Sequence, residues 1–339
     1  MIDAQQDLFV FEMANNHGGS VDHGLAIIDA VARLADRFGI RAAVKLQYRE
    51  LDSFIHPDFR HRSDVPHLKR FIETRLSDND RRALIEAIRA AGLIVMVTPF
   101  DEASVRACLD HNVDIIKVAS CSVDDWPLLR AVAATDRPVV VSTAGASMAT
   151  LDRVMALMSA RVHPCALMHC VGVYPCAPDA AHMARLTALQ QRYPGTVVGY
   201  SGHEAPDDVM VVCAAVSRGA TILERHIGIE SPQTPLNQYS VTPDQAARWI
   251  EAARVARAIN AEAPPADVVE RERASLRSLA RGVFVARAVE PGDVVTGADV
   301  FFAMPCLPNQ MTSGAFDDAG SRVTATRAYA AGDPLAAEH

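Results

Sequence analysis

Short apolar runs recur along the first two thirds of the chain, and each is followed by a longer stretch whose apolar positions fall three and four apart. LFVFEM (8–13), AAVKLQ (42–47), LIVMVT (93–98), DIIKVA (114–119), PVVVST (138–143), CALMHC (165–170), TVVGYS (196–201) and ATILERH (220–226) have the length and composition of buried strands. Between them DHGLAIIDAVARLADRF, NDRRALIEAIRAAG, DEASVRACLDH and PDDVMVVCAAVSRG read as amphipathic helices. TPDQAARWIEAARVARAIN opens on a Thr-Pro helix start. Eight β-then-α units in roughly 250 residues predict a (β/α)8 TIM barrel. A doubly wound sheet is the alternative, but no G-x-G-x-x-G follows any strand.

The pattern then changes. NAEAPPADVVERERAS is Pro/Ala-rich and charged, as a linker would be. Beyond it FVARAVEPGDVVTGADV (284–300) and VTATRAYAAGDPLAAE (323–338) echo each other, each a short strand, a Gly-Asp turn and an apolar pair. The expected organisation is a barrel over 1–262, a linker over 263–276 and a small β-rich domain with internal pseudo-symmetry over 277–339. So small a core needs something to pack on.

Net charge is −8 with no basic block, which argues against nucleic-acid or membrane partners. The start, MIDAQQDLFVFEMA, lacks a basic leader, and seven cysteines without a C-x-x-C pair suit a reducing cytoplasm. Of 33 basic residues only three are lysines. Two of them, Lys45 and Lys117, sit inside apolar strands, where an ammonium is costly unless it serves a polar site. Lys69, in the polar PHLKRFIETR, is read as an ordinary surface residue.

Strand C-termini of such a barrel open on one face, and that face holds the chemistry. The polar residues gather there by strand: Glu12 with Asn16 and His17, Lys45 and Gln47, Thr98, Lys117 and Ser120, Ser142 and Thr143, Cys170 and Tyr174, Ser201 and His203, Glu224 and His226. His203 and His226 end neighbouring strands and can face one exchangeable divalent cation such as Mn²⁺, acting as a Lewis acid. Two core histidines bonded to backbone carbonyls are the plainer alternative. Lys45 and Lys117, with hydroxyls from Ser120, Ser142 and Ser201, predict an anion site for a small phosphorylated carboxylate. Thr98 and Glu224 belong to the same substrate-facing ring.

EMANNHGGS, KLQ, TPFDEASV, IIKVASC with WPLL, PVVVSTAGAS, LMHCVGVYP, VGYSGHE and GATILERHI together resemble the N-acetylneuraminate (sialic acid) synthase family, in order and across the whole barrel. Within it the likeness is to the spore coat polysaccharide biosynthesis protein E group. The tail resembles that family's SAF (antifreeze-like, β-clip) domain. The resemblance implies condensation of phosphoenolpyruvate with an open-chain aldose to a nonulosonic acid and phosphate, for polysaccharide biosynthesis. It implies that Lys45, Lys117, Ser120, Ser142 and Ser201 hold phosphoenolpyruvate, and that His203 and His226 hold Mn²⁺, Mg²⁺ or Co²⁺. Gln47 and Tyr174 would touch the sugar, with Glu12 handling a proton or water. It also implies a cytoplasmic, domain-swapped homodimer.

The chain departs from the family at four positions. Gly172 stands where Asn or Ser is usual, Ser122 replaces an acid, Leu236 an aspartate and Met304 an arginine. The sugar grips change while the anion and metal sets stay, so N-acetylmannosamine is expected to be a poor substrate and a differently substituted, less polar aldose to be preferred, unless Asn237, Asn309 or Gln310 supplies the lost contacts. Two other readings remain. One is a Schiff-base aldolase using Lys117; the other is a sugar-binding relative with impaired catalysis.

Overall fold

A computed structural model describes the chain except residues 1, 3–5, 61, 63, 164, 262, 278, 338 and 339. Eight parallel strands close into a barrel in chain order, and the last pairs with the first. They are β1 (Leu8–Glu12), β2 (Arg41–Tyr48), β3 (Ile94–Pro99), β4 (Ile115–Val118), β5 (Val139–Ser142), β6 (Cys165–Cys170), β7 (Val198–Gly202) and β8 (Ile222–His226). Helices follow every strand, from Val21–Phe38 after β1 to Pro243–Ile259 after β8. All eight predicted strands are present, and a TIM barrel is the observed architecture.

Alternation along each strand builds two cores. Outward positions such as Phe9, Phe11, Val44 and Leu46 pack under the helices in the larger core. Trp249 of the last barrel helix meets Phe9 and Phe11 edge-on, with ring centroids at 5.6 and 6.2 Å. That helix starts on a reciprocal cap, Thr242 with Gln245, which satisfies two otherwise orphaned N–H groups. Inward positions Leu8, Val10, Ala43, Met96, Val140 and Ile222 form a separate plug within the barrel. Later inward positions on the same strands turn polar, and the site begins there.

The chain divides into two compact units, Met1–Asn260 and Ala261–His339. Residues 263–276, read as a linker, lie almost wholly within a helix, Ala266–Arg277. The second unit pairs β9 (Gly282–Val285) with β11 (Val300–Ala303) and β10 (Val294–Thr296) with β12 (Arg322–Thr324), both antiparallel. Its two echoing segments interlock symmetrically. Gly292 N–H donates to Ala325 O and Ala325 N–H to Asp293 O; likewise Gly332 N–H donates to Val285 O and Val285 N–H to Asp333 O. Both glycines have φ of 94°, a left-handed geometry that a side chain would strain. Each turn aspartate accepts a backbone N–H three residues earlier, from Glu290 and from Ala330. Val283, Val285, Val295, Phe316 and Tyr329 make this unit's own core.

Among the described residues no helix is long and apolar enough to cross a membrane.

Candidate active site

A cavity of about 720 Å³ opens at the C-terminal ends of the barrel strands. All twelve side chains singled out as catalytic, substrate-binding or metal-binding line it: Glu12, Lys45, Gln47, Thr98, Lys117, Ser120, Ser142, Tyr174, Ser201, His203, Glu224 and His226. The reason is the two-residue period of a strand. In β2, Ala43 joins the apolar plug, and Lys45 and Gln47 follow on the same face. In β8 the order is Ile222, Glu224, His226.

The floor is a charge network. The Lys45 ammonium lies 2.8 Å from Glu12 Oε2 and 2.7 Å from Glu224 Oε1, all three almost wholly buried. Burial alone would lower the lysine's pKa, but the two carboxylates outweigh it and raise it, so Lys45 stays charged. Burial opposes ionisation of Glu224 too; Lys45 and Lys117 overcome it and hold that carboxyl below its usual range. Glu224 Oε1 also accepts from Ser201 Oγ at 2.8 Å, while Glu12 Oε1 accepts from Ala14 N–H at 2.7 Å. Two of the three Lys45 N–H donors are therefore committed, and one is left for a ligand.

Lys117 stands in a different environment. Its ammonium donates to Ser142 Oγ and, at 3.2 Å, to Val118 O, with no carboxylate within ion-pair distance among the described residues. Burial, then repulsion from Lys45, lowers its pKa. An anion beside it would favour the charged form. Ser120 Oγ accepts from Ala144 N–H at 3.2 Å and lies 3.2 Å from Cys170 Sγ. Ser120, Ser142 and Ser201 thus place hydroxyls around the two ammonium groups.

The imidazoles of His203 and His226 lie with ring centroids 5.5 Å apart. His203 Nδ1 is 3.1 Å from Val171 O; a carbonyl only accepts, so Nδ1 bears the proton and Nε2 keeps its lone pair. Burial foremost, then each one's cationic or imidazole neighbours, pushes both pKa values down to about 3. His226 Nδ1 and Glu224 Oε2 are buried without hydrogen-bond partners. Tyr174 packs on His203 at 4.3 Å and Tyr239 on His226 at 5.0 Å, closing the pair on one side. Neutral imidazoles that keep a ring nitrogen free of protein hydrogen bonds suit a divalent ion. Among the described residues, however, no three His, Cys, Asp or Glu side chains converge as a ligand set, so most coordination positions would fall to water or substrate.

Other residues that the sequence placed at strand ends serve the scaffold. Asn16 Nδ2 donates to Ile227 O and Ser240 Oγ, and His17 Nδ1 accepts from Gly19 N–H. Thr143 donates to Met168 O. Glu204, the acid of SGHE, is bound by Arg225 and Tyr200 in a fully buried cluster behind β7 and β8. Leu236 packs on Gly228, while its neighbour Asn237 lines the cavity. A side chain at Gly172 would meet only Ala144, at 3.8 Å. Met304 is exposed in the second unit. There Gln310 spends its amide on Val283 O and Leu307 N–H, which removes it as a spare sugar contact.

The sequence reading missed one wall. Arg49, Phe100, His67, Arg70 and Phe71 also line the cavity, together with Tyr239. Arg49 continues the Lys45–Gln47 alternation and could have been found that way. His67, Arg70 and Phe71 lie on the helix Pro66–Glu73, whose facing no local pattern announces.

Residues 33–263 match the model of the NeuB family. A solved structure of a provisionally named spore coat polysaccharide biosynthesis protein E from Chromobacterium violaceum is 44% identical, with a TM-score of 0.89 over 98% of each chain. The spore coat polysaccharide biosynthesis protein SpsE of Bacillus subtilis is 28% identical over 72% of this chain, a match spanning 66% of that relative. The N-acetylneuraminate-9-phosphate synthase of Homo sapiens is 26% identical over 87% of this chain and 82% of its own length.

Proposed function

Because the chain belongs to the NeuB family, we propose that it condenses phosphoenolpyruvate with an open-chain aldose and water to give a nonulosonic acid and inorganic phosphate. The supporting observation is one cavity that joins a lysine–hydroxyl anion wall to two neutral, closely spaced imidazoles. Lys117, Ser120, Ser142 and Ser201, with the free donor of Lys45, would hold the phosphate and carboxylate of phosphoenolpyruvate. Gln47, Thr98 and Tyr174, higher in the cavity, would meet the aldose. Glu224 positions Lys45 and Ser201 rather than touching the reacting carbons, since its Oε1 is bound by both.

In the reaction, C3 of phosphoenolpyruvate forms a bond to the aldehyde carbon. Water adds at C2, the C2–O bond to phosphate breaks, and the aldehyde oxygen takes up a proton. Glu12 would orient that water, its carboxylate held in place by Lys45 and by Ala14 N–H. A divalent cation held by His203 and His226, Mn²⁺ foremost and Mg²⁺ or Co²⁺ otherwise, would supply Lewis-acid activation of the aldehyde.

The lowered pKa of Lys117 favours a second reading, Schiff-base aldol chemistry at that amine. Dialysis against chelator separates the two. The proposal predicts that phosphate release stops and that Mn²⁺ restores it. Full activity in chelator, or borohydride trapping of a keto substrate on Lys117, would contradict it.

A further inference from the structure

Arg49 is held in an unusual position. Its guanidinium carbon sits 3.9 Å from the ring centroid of Phe71 and 3.6 Å from that of Phe100, so a phenyl ring covers each face. Nη1 donates to Gln47 Oε1 at 3.0 Å, and Nε is buried without a partner. Among the described residues neither Arg49 nor Arg70 on the same wall forms an ion pair, whereas nearby Arg75 pairs with Asp52 at 2.8 Å. With both faces stacked, only the planar edge of Arg49 is left to bind, and that edge matches a two-oxygen acid group.

The charge inventory places the surplus at this wall. Deeper in the cavity, Lys45 and Lys117 are balanced by Glu12 and Glu224, and among the described residues no third carboxylate lines the cavity to pair with Arg49 or Arg70. Burial pushes Arg49 down to about 10, outweighing the opposing pull of Cys121, Glu12 and Asp101. Its height is set by register. Lys45 pairs with Met96 and Gln47 with Thr98, and Phe100 N–H donates to Tyr48 O at 3.0 Å, continuing the ladder. Arg49 and Phe100 are therefore the next inward rung, about 13 Å along the strand from Lys45. A three-carbon molecule bound at Lys45 and Lys117 does not span that distance; the far end of an aldose lying along β2 does.

We propose that Arg49, clamped by Phe71 and Phe100 and assisted by Arg70, selects an acceptor aldose that carries an acid group, phosphate or carboxylate, at the end remote from its aldehyde. This rests on the condensation reading above and narrows its substrate class.

The test compares N-acetylmannosamine, its 6-phosphate and the corresponding uronic acid on the full-length protein, in phosphate release with phosphoenolpyruvate and in calorimetric titration. The acidic aldoses should exceed the neutral one by at least about tenfold in kcat/KM and in affinity, the yield of one charge-assisted contact. The better of the two identifies the acid. In Arg49→Gln the acid-to-neutral ratio should collapse towards one, with Arg49→Lys recovering part of it and unfolding midpoints confirming folded variants. Equal use of neutral and acidic aldoses would overturn the proposal. So would an unchanged ratio in Arg49→Gln, or a loss confined to phosphoenolpyruvate affinity. If no aldose releases phosphate, the condensation reading fails, and titration still decides the acid preference.

Discussion

Lys117 and Lys69 show what burial does to the same side chain. Lys117 lies at the bottom of the cavity among serine hydroxyls, whereas Lys69 is exposed, its ammonium 3.8 Å from Glu73. Lys117→Ala should therefore weaken phosphoenolpyruvate binding by at least about tenfold, since a charge-assisted hydrogen bond contributes roughly 1.5–3 kcal/mol. Lys69→Ala should leave it nearly unchanged, because exposed pairs contribute little. Equal losses in a direct titration would show the anion site to be elsewhere. Sequence could separate these lysines because one interrupts an apolar strand and the other does not. The two-residue period likewise separates Glu224, in step with Ile222 and His226, from Glu204, one place out of step with Ser201 and His203. Both follow apolar runs near a histidine, yet Glu204 is bound by Arg225 and Tyr200 while Glu224 faces Lys45. Which way an acid turns depends on its strand register, and Glu204 lies just beyond β7.

Among the elements, the strands were legible because their inward positions turn polar above the apolar plug. The close approach of β7 to its neighbours was not. A Cβ at Gly199 would fall 2.3 Å from Ile222 O and 2.5 Å from Met168 Sδ, so β6, β7 and β8 meet around a position that admits no side chain. The Met168 side chain can move, but the Ile222 carbonyl belongs to the ladder. Gly199→Ala should destabilise the protein by about 1–3 kcal/mol or more, as overpacking does. It should also lower turnover, because Ser201 and His203 ride on the same segment. A wild-type urea midpoint would contradict this reading of the packing. The helix Pro66–Glu73 is the opposite case. Its residues gave no sign of a site, and only the tertiary fold turns His67, Arg70 and Phe71 into the cavity.

For the molecule as a whole, the division into a barrel and a small β unit followed from the change of pattern after residue 260. The interlocked Gly-Asp turns show why the tail repeats itself: each copy caps the other's strand. The altered positions bear on substrate choice. Leu236 packs on Gly228, and Gln310 is bound by Val283 O and Leu307 N–H, so neither side chain is free for a polar sugar contact. A site deprived of such polar partners discriminates strongly against the group they served. Carbon–carbon bond formation between phosphoenolpyruvate and an aldose is what separates condensation from hydrolysis. It is tested most directly by mass spectrometry of the product formed from phosphoenolpyruvate labelled with ¹³C at C3, across a panel of neutral and acidic aldoses with Mn²⁺. One labelled sugar acid is expected, with the mass of aldose plus phosphoenolpyruvate plus water minus phosphoric acid, formed one for one with phosphate and poorly from N-acetylmannosamine. Intact phosphoenolpyruvate throughout, or phosphate released without a labelled sugar adduct, would contradict it.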